Sequence, residues 1–156
     1  MIMPTPAPAH RAIENLIATY AALVDDGDFA AVGALLADAT VTSDATSASG
    51  PDAIERMLRD SLIVHADGTP RTRHLTTNFA IDVDDAAGTA VARSYFTVLQ
   101  ALPELPLQPI VSGTYHDRFE RHDGRWRFAR RRIHADLIGD VSRHLRGADR
   151  VSAPPR

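Results

Sequence analysis

The chain has 156 residues, a formal charge of −3 and a pI near 6.1, which is the length of one domain around one core. A charge so close to neutral supplies no global attraction to nucleic acid or to an anionic membrane. There is no cysteine, so disulfides, thiolate nucleophiles and zinc–thiolate sites are excluded; all 17 basic residues are arginine, so Schiff-base and pyridoxal-phosphate chemistry, which need a lysine amine, are excluded too.

Met1–Ala9 holds three prolines and reads as a disordered arm, as does the tail 147–156, leaving residues 10–146 as the single domain. The start lacks the basic and apolar stretches of a secretory signal, and no apolar run approaches the ~18 residues of a membrane span, so a cytoplasmic protein is expected. Ile13, Leu16, Ile17, Tyr20, Leu23 and Val24 recur at helical spacing and predict a first helix over 11–24. Asp25-Asp26-Gly27-Asp28 ends it, and Asp28 can N-cap a second helix carrying Phe29, Val32, Leu35 and Leu36. Gly50-Pro51-Asp52 opens a third, with Ile54, Met57, Leu58 and Leu62 on its apolar face.

Beyond residue 70 the pattern becomes extended. His74 opens a first strand in which Phe79, Ile81 and Val83 alternate with Ala80 and Asp82. Further strands are expected over about 89–99, 110–121 and 125–137, with His122-Asp123-Gly124 as the last hairpin. Helices followed by an antiparallel four-strand meander form an α+β arrangement. Leu102–Pro109 reads as an apolar, proline-stiffened connection, either a lid or a dimer contact.

Three motifs carry a resemblance: Tyr20-x4-Asp25-x-Gly27-Asp28-Phe29, Arg73-His74-x3-Asn78, and Gly113-x-Tyr115-x-Asp117-x-Phe119 with Asp123-Gly124-x-Trp126-x-Phe128. In this order they are similar to the SnoaL-like branch of the nuclear-transport-factor-2-like superfamily. The resemblance implies a cone-shaped α+β barrel, a bent sheet wrapped around three helices with an apolar pocket at its open end. It also implies cofactor-independent lyases of the scytalone dehydratase, bile-acid 7α-dehydratase and hexachlorocyclohexane dehydrochlorinase kind. Their aspartate–histidine dyad falls here on Asp25 and His74, and a further tyrosine falls on Tyr20.

The expected function is therefore a dehydratase-like lyase or isomerase acting on a small, mostly apolar molecule in an enclosed pocket. His74 would take a proton, Asp25 would orient it, and Tyr20 would assist the leaving group. Asp25 is an acid at a helix C-terminus, where the macrodipole disfavours it, and that placement itself suggests another task. Tyr20 also fits as a core aromatic of the first helix. In Arg130-Arg131-Arg132, strand parity groups Arg130, Arg132 and His134 with Trp126 and Phe128, and turns Arg131 the other way. Arg132 and His134 are thus candidate substrate-binding residues, against the simpler reading of ion pairs with Asp117, Glu120 or Asp136. No histidine spacing suggests a metal and no glycine-rich loop suggests a nucleotide, so no cofactor, metal or nucleic-acid partner is expected. The resemblance implies a homodimer. It also leaves two alternatives, a non-catalytic small-molecule-binding or dimerisation module and an accessory subunit of a ring-hydroxylating dioxygenase.

Overall fold

The computed structural model describes residues 8–150; the expected arm and tail fall mostly on 1–7 and 151–156, outside the described residues. The elements in order are α1 (Ala9–Asp25), α2 (Phe29–Leu35), β1 (Thr40–Thr42), β2 (Ser47–Ser49), α3 (Pro51–Ser61), β3 (Thr72–Asp84), β4 (Thr89–Leu102), β5 (Leu105–His122) and β6 (Arg125–Ile138), then a short 3₁₀ turn at Ala148–Arg150. No helix among them is long and apolar enough to cross a membrane.

The fold is α+β, with three helices held in the hollow of one curved sheet of order β2-β1-β6-β5-β4-β3. The sheet has six strands, two more than the meander read from the sequence, and it does not close: β2 and β3 are its two edges. The additional strands are three residues each, and β1 joins β6 in parallel, a pairing that no alternating pattern over three residues can signal. The core lies between helices and sheet. Ile13, Ile17, Tyr20 and Val24 of α1, Phe29 and Val32 of α2 and Ile54 and Leu58 of α3 meet Phe96, Val98, Tyr115, Phe119 and Phe128.

Two local devices position the working residues. Gly27 ends α1: its N–H bonds to the Val24 carbonyl and that of Asp28 to the Leu23 carbonyl, the paired bonds of a Schellman cap. Its φ of +72° suits glycine, and a Cβ there would stand 2.4 Å from the Gly68 carbonyl oxygen. The end of α1 can thus press against the turn before β3. Asp28 then caps α2, its carboxylate accepting the Ala31 N–H at 3.1 Å.

The second device is a set of bulges that bend the long strands. Thr77 pairs with Tyr95 and Ala80 with Arg93, so β3 holds one extra residue there, beside Asn78 at φ +55°. Thr72, His74 and Thr76 before the bulge, and Phe79, Ile81 and Val83 after it, consequently face the same inner side. In β6, Phe128 pairs with Phe119 but Arg130 with Arg118, leaving Ala129 extra. This overturns the parity expected for the arginine run. Phe128 and Arg131 both point inward, while Arg130 and Arg132 are exposed. The proline-rich stretch also differs from expectation: β5 begins at Leu105, and Leu102 pairs with Leu105 across a tight turn.

Where β5 and β6 cross the bend, Gly113 has no room for a side chain. A Cβ would lie 2.0 Å from the His134 carbonyl oxygen and 2.7 Å from the Phe96 ring. Gly113→Ala should cost about 1–3 kcal/mol through forced shifts of strand and ring, measured as a lower urea midpoint with an unchanged slope.

Candidate active site

An open groove of about 1030 Å³ lies between α1 and the sheet edge formed by β3. Ala18, Ala21 and Ala22 of α1 form one wall, and Phe79, Leu99, Ala101 and Leu107 supply apolar surface on the strands. Arg11, Glu14, Asp26, Arg71 and Arg73 place charge around this apolar surface, so the site is an open groove of mixed character rather than an enclosed apolar pocket.

Asp25 and His74 sit in this groove, with side chains only 11% and 8% exposed. Asp25 is the last residue of α1 and accepts three hydrogen bonds. The His74 ring donates from Nδ1 to Oδ1 at 2.6 Å, the His74 backbone N–H donates to Oδ2 at 2.8 Å, and the Thr72 hydroxyl donates to Oδ1 at 2.8 Å. Burial works against its charge, but the hydrogen bonds and charge of His74, with help from Thr72, hold the Asp25 carboxyl below its ordinary value. An ionised carboxylate can only accept, so the proton between them belongs to Nδ1, and in the neutral ring the lone pair is on Nε2. Thr72 was absent from the sequence reading; its signal is its position two residues before His74, on the same strand face.

Tyr20 and the last-strand residues lie elsewhere. Tyr20 does not line the groove. It is buried in the core, its ring 4.2 Å from the Arg131 guanidinium carbon and edge-on to Tyr115. Burial, opposed by the nearby Arg131 charge, pushes its phenol pKa up. Arg132 and His134 lie outside the groove as well. Arg132 is exposed, and His134 bonds through Nδ1 to Asp44 at 2.8 Å, on the turn between β1 and β2. The bulge at Ala129 is the physical reason, because it turns these side chains to the outer face.

The inward arginine is Arg131, and it is committed to the core. It bonds Asp117 through Nε at 2.9 Å and Nη2 at 2.8 Å, with both side chains fully buried. Of the expected ion pairs, that with Asp117 therefore exists, but to the middle arginine of the run. Burial disfavours the Arg131 charge, yet Asp117 more than offsets this and raises its proton affinity.

The family assignment follows from comparison with known proteins. The SnoaL-like domain family matches residues 6–132. This chain belongs to that family. No curated protein matches the sequence. Among solved structures, this SnoaL-like protein is similar to Rv3472, a protein of unknown function from Mycobacterium tuberculosis, at 26% identity and TM-score 0.68, over 85% of this chain and 74% of that one. It is also similar to a proposed scytalone dehydratase from Novosphingobium aromaticivorans, at 27% identity and TM-score 0.66, over 84% and 86% of the two chains. A cystatin-like-fold protein from Nostoc punctiforme matches at 21% identity and TM-score 0.71, over 89% and 99%, and supports the fold alone.

One further buried histidine of this SnoaL-like protein lies behind the groove. The segment Val141–Arg146 straps across the end of α3: the Ile63 N–H donates to the His144 carbonyl, and the Arg146 N–H to that of Ser61. Gln100, paired in register with Thr72, donates to the Arg143 carbonyl at 3.0 Å and so ties the strap to β4 and thus to β3, the strand carrying Thr72 and His74. His144 is 5% exposed, and burial, reinforced by the His74 and His65 imidazoles and opposed by Asp25, pushes its pKa down to about 4. The unfolded chain binds that proton near the ordinary value of 6.5, so it gains protons first as pH falls. Stability from neutral His144 is complete above about pH 6.5 and drains away toward pH 4, by roughly 3 kcal/mol. Urea titrations across this window should show the decline, and His144→Phe should flatten it. An equal slope in that variant would rule His144 out as the cause.

Proposed function

We propose that the groove is the active site of a cofactor-independent lyase or isomerase that removes a proton from a small, mostly apolar substrate with an acidic C–H. The observation carrying this reading is the 2.6 Å hydrogen bond between His74 Nδ1 and Asp25 on the groove floor. It fixes the ring tautomer and leaves Nε2 as a base beside space for a ligand. His74 takes the C–H proton through Nε2, and the fixed Asp25 charge stabilises the imidazolium. The electron pair of the broken C–H bond forms a double bond as a β-hydroxyl departs. The imidazolium then returns its proton to that oxygen, so that water leaves and the base is restored. Double-bond migration follows if the proton returns to carbon instead.

Tyr20, buried against Arg131, is not part of this reading. Family membership and the 27% identical proposed scytalone dehydratase support elimination of water as the first reaction to try. The test is a panel of β-hydroxy ketones and esters screened for growth of conjugated-product absorbance, with His74→Gln alongside. Conversion by the parent protein alone supports the reading; equal conversion by both proteins, or none across the panel, counts against it.

A further inference from the structure

Three threonines line the groove: Thr69, Thr72 and Thr76. Two of them have a task inside the fold. The Thr69 hydroxyl donates to Asp67 at 2.9 Å and accepts the Arg71 N–H at 3.1 Å, and the Thr72 hydroxyl donates to Asp25 at 2.8 Å. The Thr76 hydroxyl oxygen is screened from water and has no hydrogen-bond partner among the described residues. A hidden, unpaired hydroxyl destabilises a fold. Valine would fill the same space with a branch equally suited to a strand, so packing alone gives this oxygen no use.

Its position gives it one. Thr76 lies two residues beyond His74 on β3, before the register shift between Thr77 and Ala80, so both side chains face the inner side. Same-face neighbours stand about 7 Å apart along a strand. Asp25 Oδ1 binds Thr72 and His74 together and so stands on the Thr72 side of the ring; Thr76 stands on the other side. A base meets the carbon it deprotonates at about 3–3.5 Å. A carbonyl oxygen lies about 2.4 Å from the adjacent carbon, and its hydrogen-bond donor a further ~2.7–3.1 Å away. Bent around the carbonyl, these contacts span about 7 Å, which matches the spacing of the two side chains. Strand side chains adopt χ1 angles of roughly 180° and −60° alike, so the hydroxyl can turn toward a ligand in the groove without strain.

We propose that Thr76 is a catalytic residue whose hydroxyl donates a hydrogen bond to a carbonyl oxygen beside the acidic C–H. The substrate class is then a ketone, aldehyde or ester with its α-hydrogen turned toward His74. This inference rests on the proton-abstraction reading above and narrows its substrate. As the α-C–H bond breaks, its proton passes to His74 Nε2 and its electron pair moves through the carbonyl to oxygen. The Thr76 O–H stabilises that enolate oxygen and keeps its own proton. Collapse of the enolate forms the double bond as the β-hydroxyl departs.

The test uses the full-length protein with 4-phenylbutan-2-one, a ketone with α-hydrogens and no leaving group, and butylbenzene, which has the same carbon skeleton without the oxygen. Proton NMR reads α-hydrogen exchange in D2O and the dissociation constants of both ligands. The parent should exchange α-hydrogens, Thr76→Val should slow this by at least about tenfold, and Thr76→Ser should restore it. Parent and His74→Gln should both prefer the ketone to the hydrocarbon. Thr76→Val should lose that preference while holding butylbenzene as the parent does. It should also melt at or above the parent temperature, because it sheds an unpaired hydroxyl. A clear fall in Tm would assign the hydroxyl to the fold and overturn the proposal. So would undiminished exchange in Thr76→Val, a ketone preference that survives in it, or no such preference in the parent. A Thr76-dependent preference without any exchange would instead uphold the carbonyl site and refute proton abstraction by His74.

Discussion

Asp117→Ala should cost about 3–5 kcal/mol, because it strands a guanidinium in the core. Arg131 and Asp117 are both fully buried and joined by two parallel hydrogen bonds. The cation also rests between aromatic faces, 3.9 Å from the Tyr115 ring centre and 4.2 Å from that of Tyr20, with Phe128 at 5.0 Å. Those rings soften the loss of hydration but cannot replace a counter-ion. Among the described residues Arg131 Nη1 already lacks a hydrogen-bond partner, so they offer the cation no reserve of acceptors. For a chain of this size the expected fall in Tm is on the order of 10 °C. Replacing both partners by apolar residues of similar volume, Asp117→Leu with Arg131→Met, should cost far less, since no charge is then left unpaired. Thermal and urea denaturation of the two variants separate the cases. A single variant as stable as the parent would show that the core admits enough water to solvate the cation.

On any substrate found by the elimination screen, His74→Gln and Asp25→Asn should each reduce kcat by roughly 10²–10⁴-fold. The two losses have different origins. Glutamine removes the base. Asparagine keeps the shape of Asp25 but replaces its charge, and an amide can present N–H as well as C=O to the ring. It neither fixes the Nδ1–H tautomer nor stabilises the imidazolium. Nitrogen-15 NMR of the ring should therefore show Nδ1–H in the parent and a mixture of tautomers in Asp25→Asn. Asp25 also joins α1 to the start of β3 through Thr72 and the His74 backbone. Circular dichroism must accordingly show that the fold survives before a kinetic loss is read as chemistry. Full turnover by a folded His74→Gln would end the proposed mechanism.

What the sequence discloses depends on how local its cause is. The three helices are legible because Ile13, Ile17, Tyr20 and Val24, and likewise Ile54 and Leu58, repeat at helical spacing next to recognisable caps. The long strands are legible through alternation and the Asp123-Gly124 turn. The bulges are not, because an extra residue such as Ala129 is defined only by what the neighbouring strand pairs with. Parity counted through it then assigns Arg131 and Arg132 to the wrong faces. β1 and β2 escape notice for a related reason: each is three residues long, and β1 is held by a long-range pairing with β6 while β2 is held only by β1. Asp25 and His74 stand out through motif and helix position, while their supports, Thr72 and the strap carrying His144, become apparent only when distant segments meet.

The irregularity at Asn78 ties reading frame to shape. Along β3, the register shift lets Phe79 share a wall with His74 although an odd number of positions separates them. Losing the extra residue there would restore one-to-one pairing with β4 and uninterrupted pleating, keeping Phe79, Ile81 and Val83 on the inner side but removing the bend that shapes this edge of the groove. A strand one residue shorter here would therefore line a differently shaped groove with the same side chains. Point substitutions away from Asp25, Thr72 and His74, by contrast, can vary its lining without altering that frame.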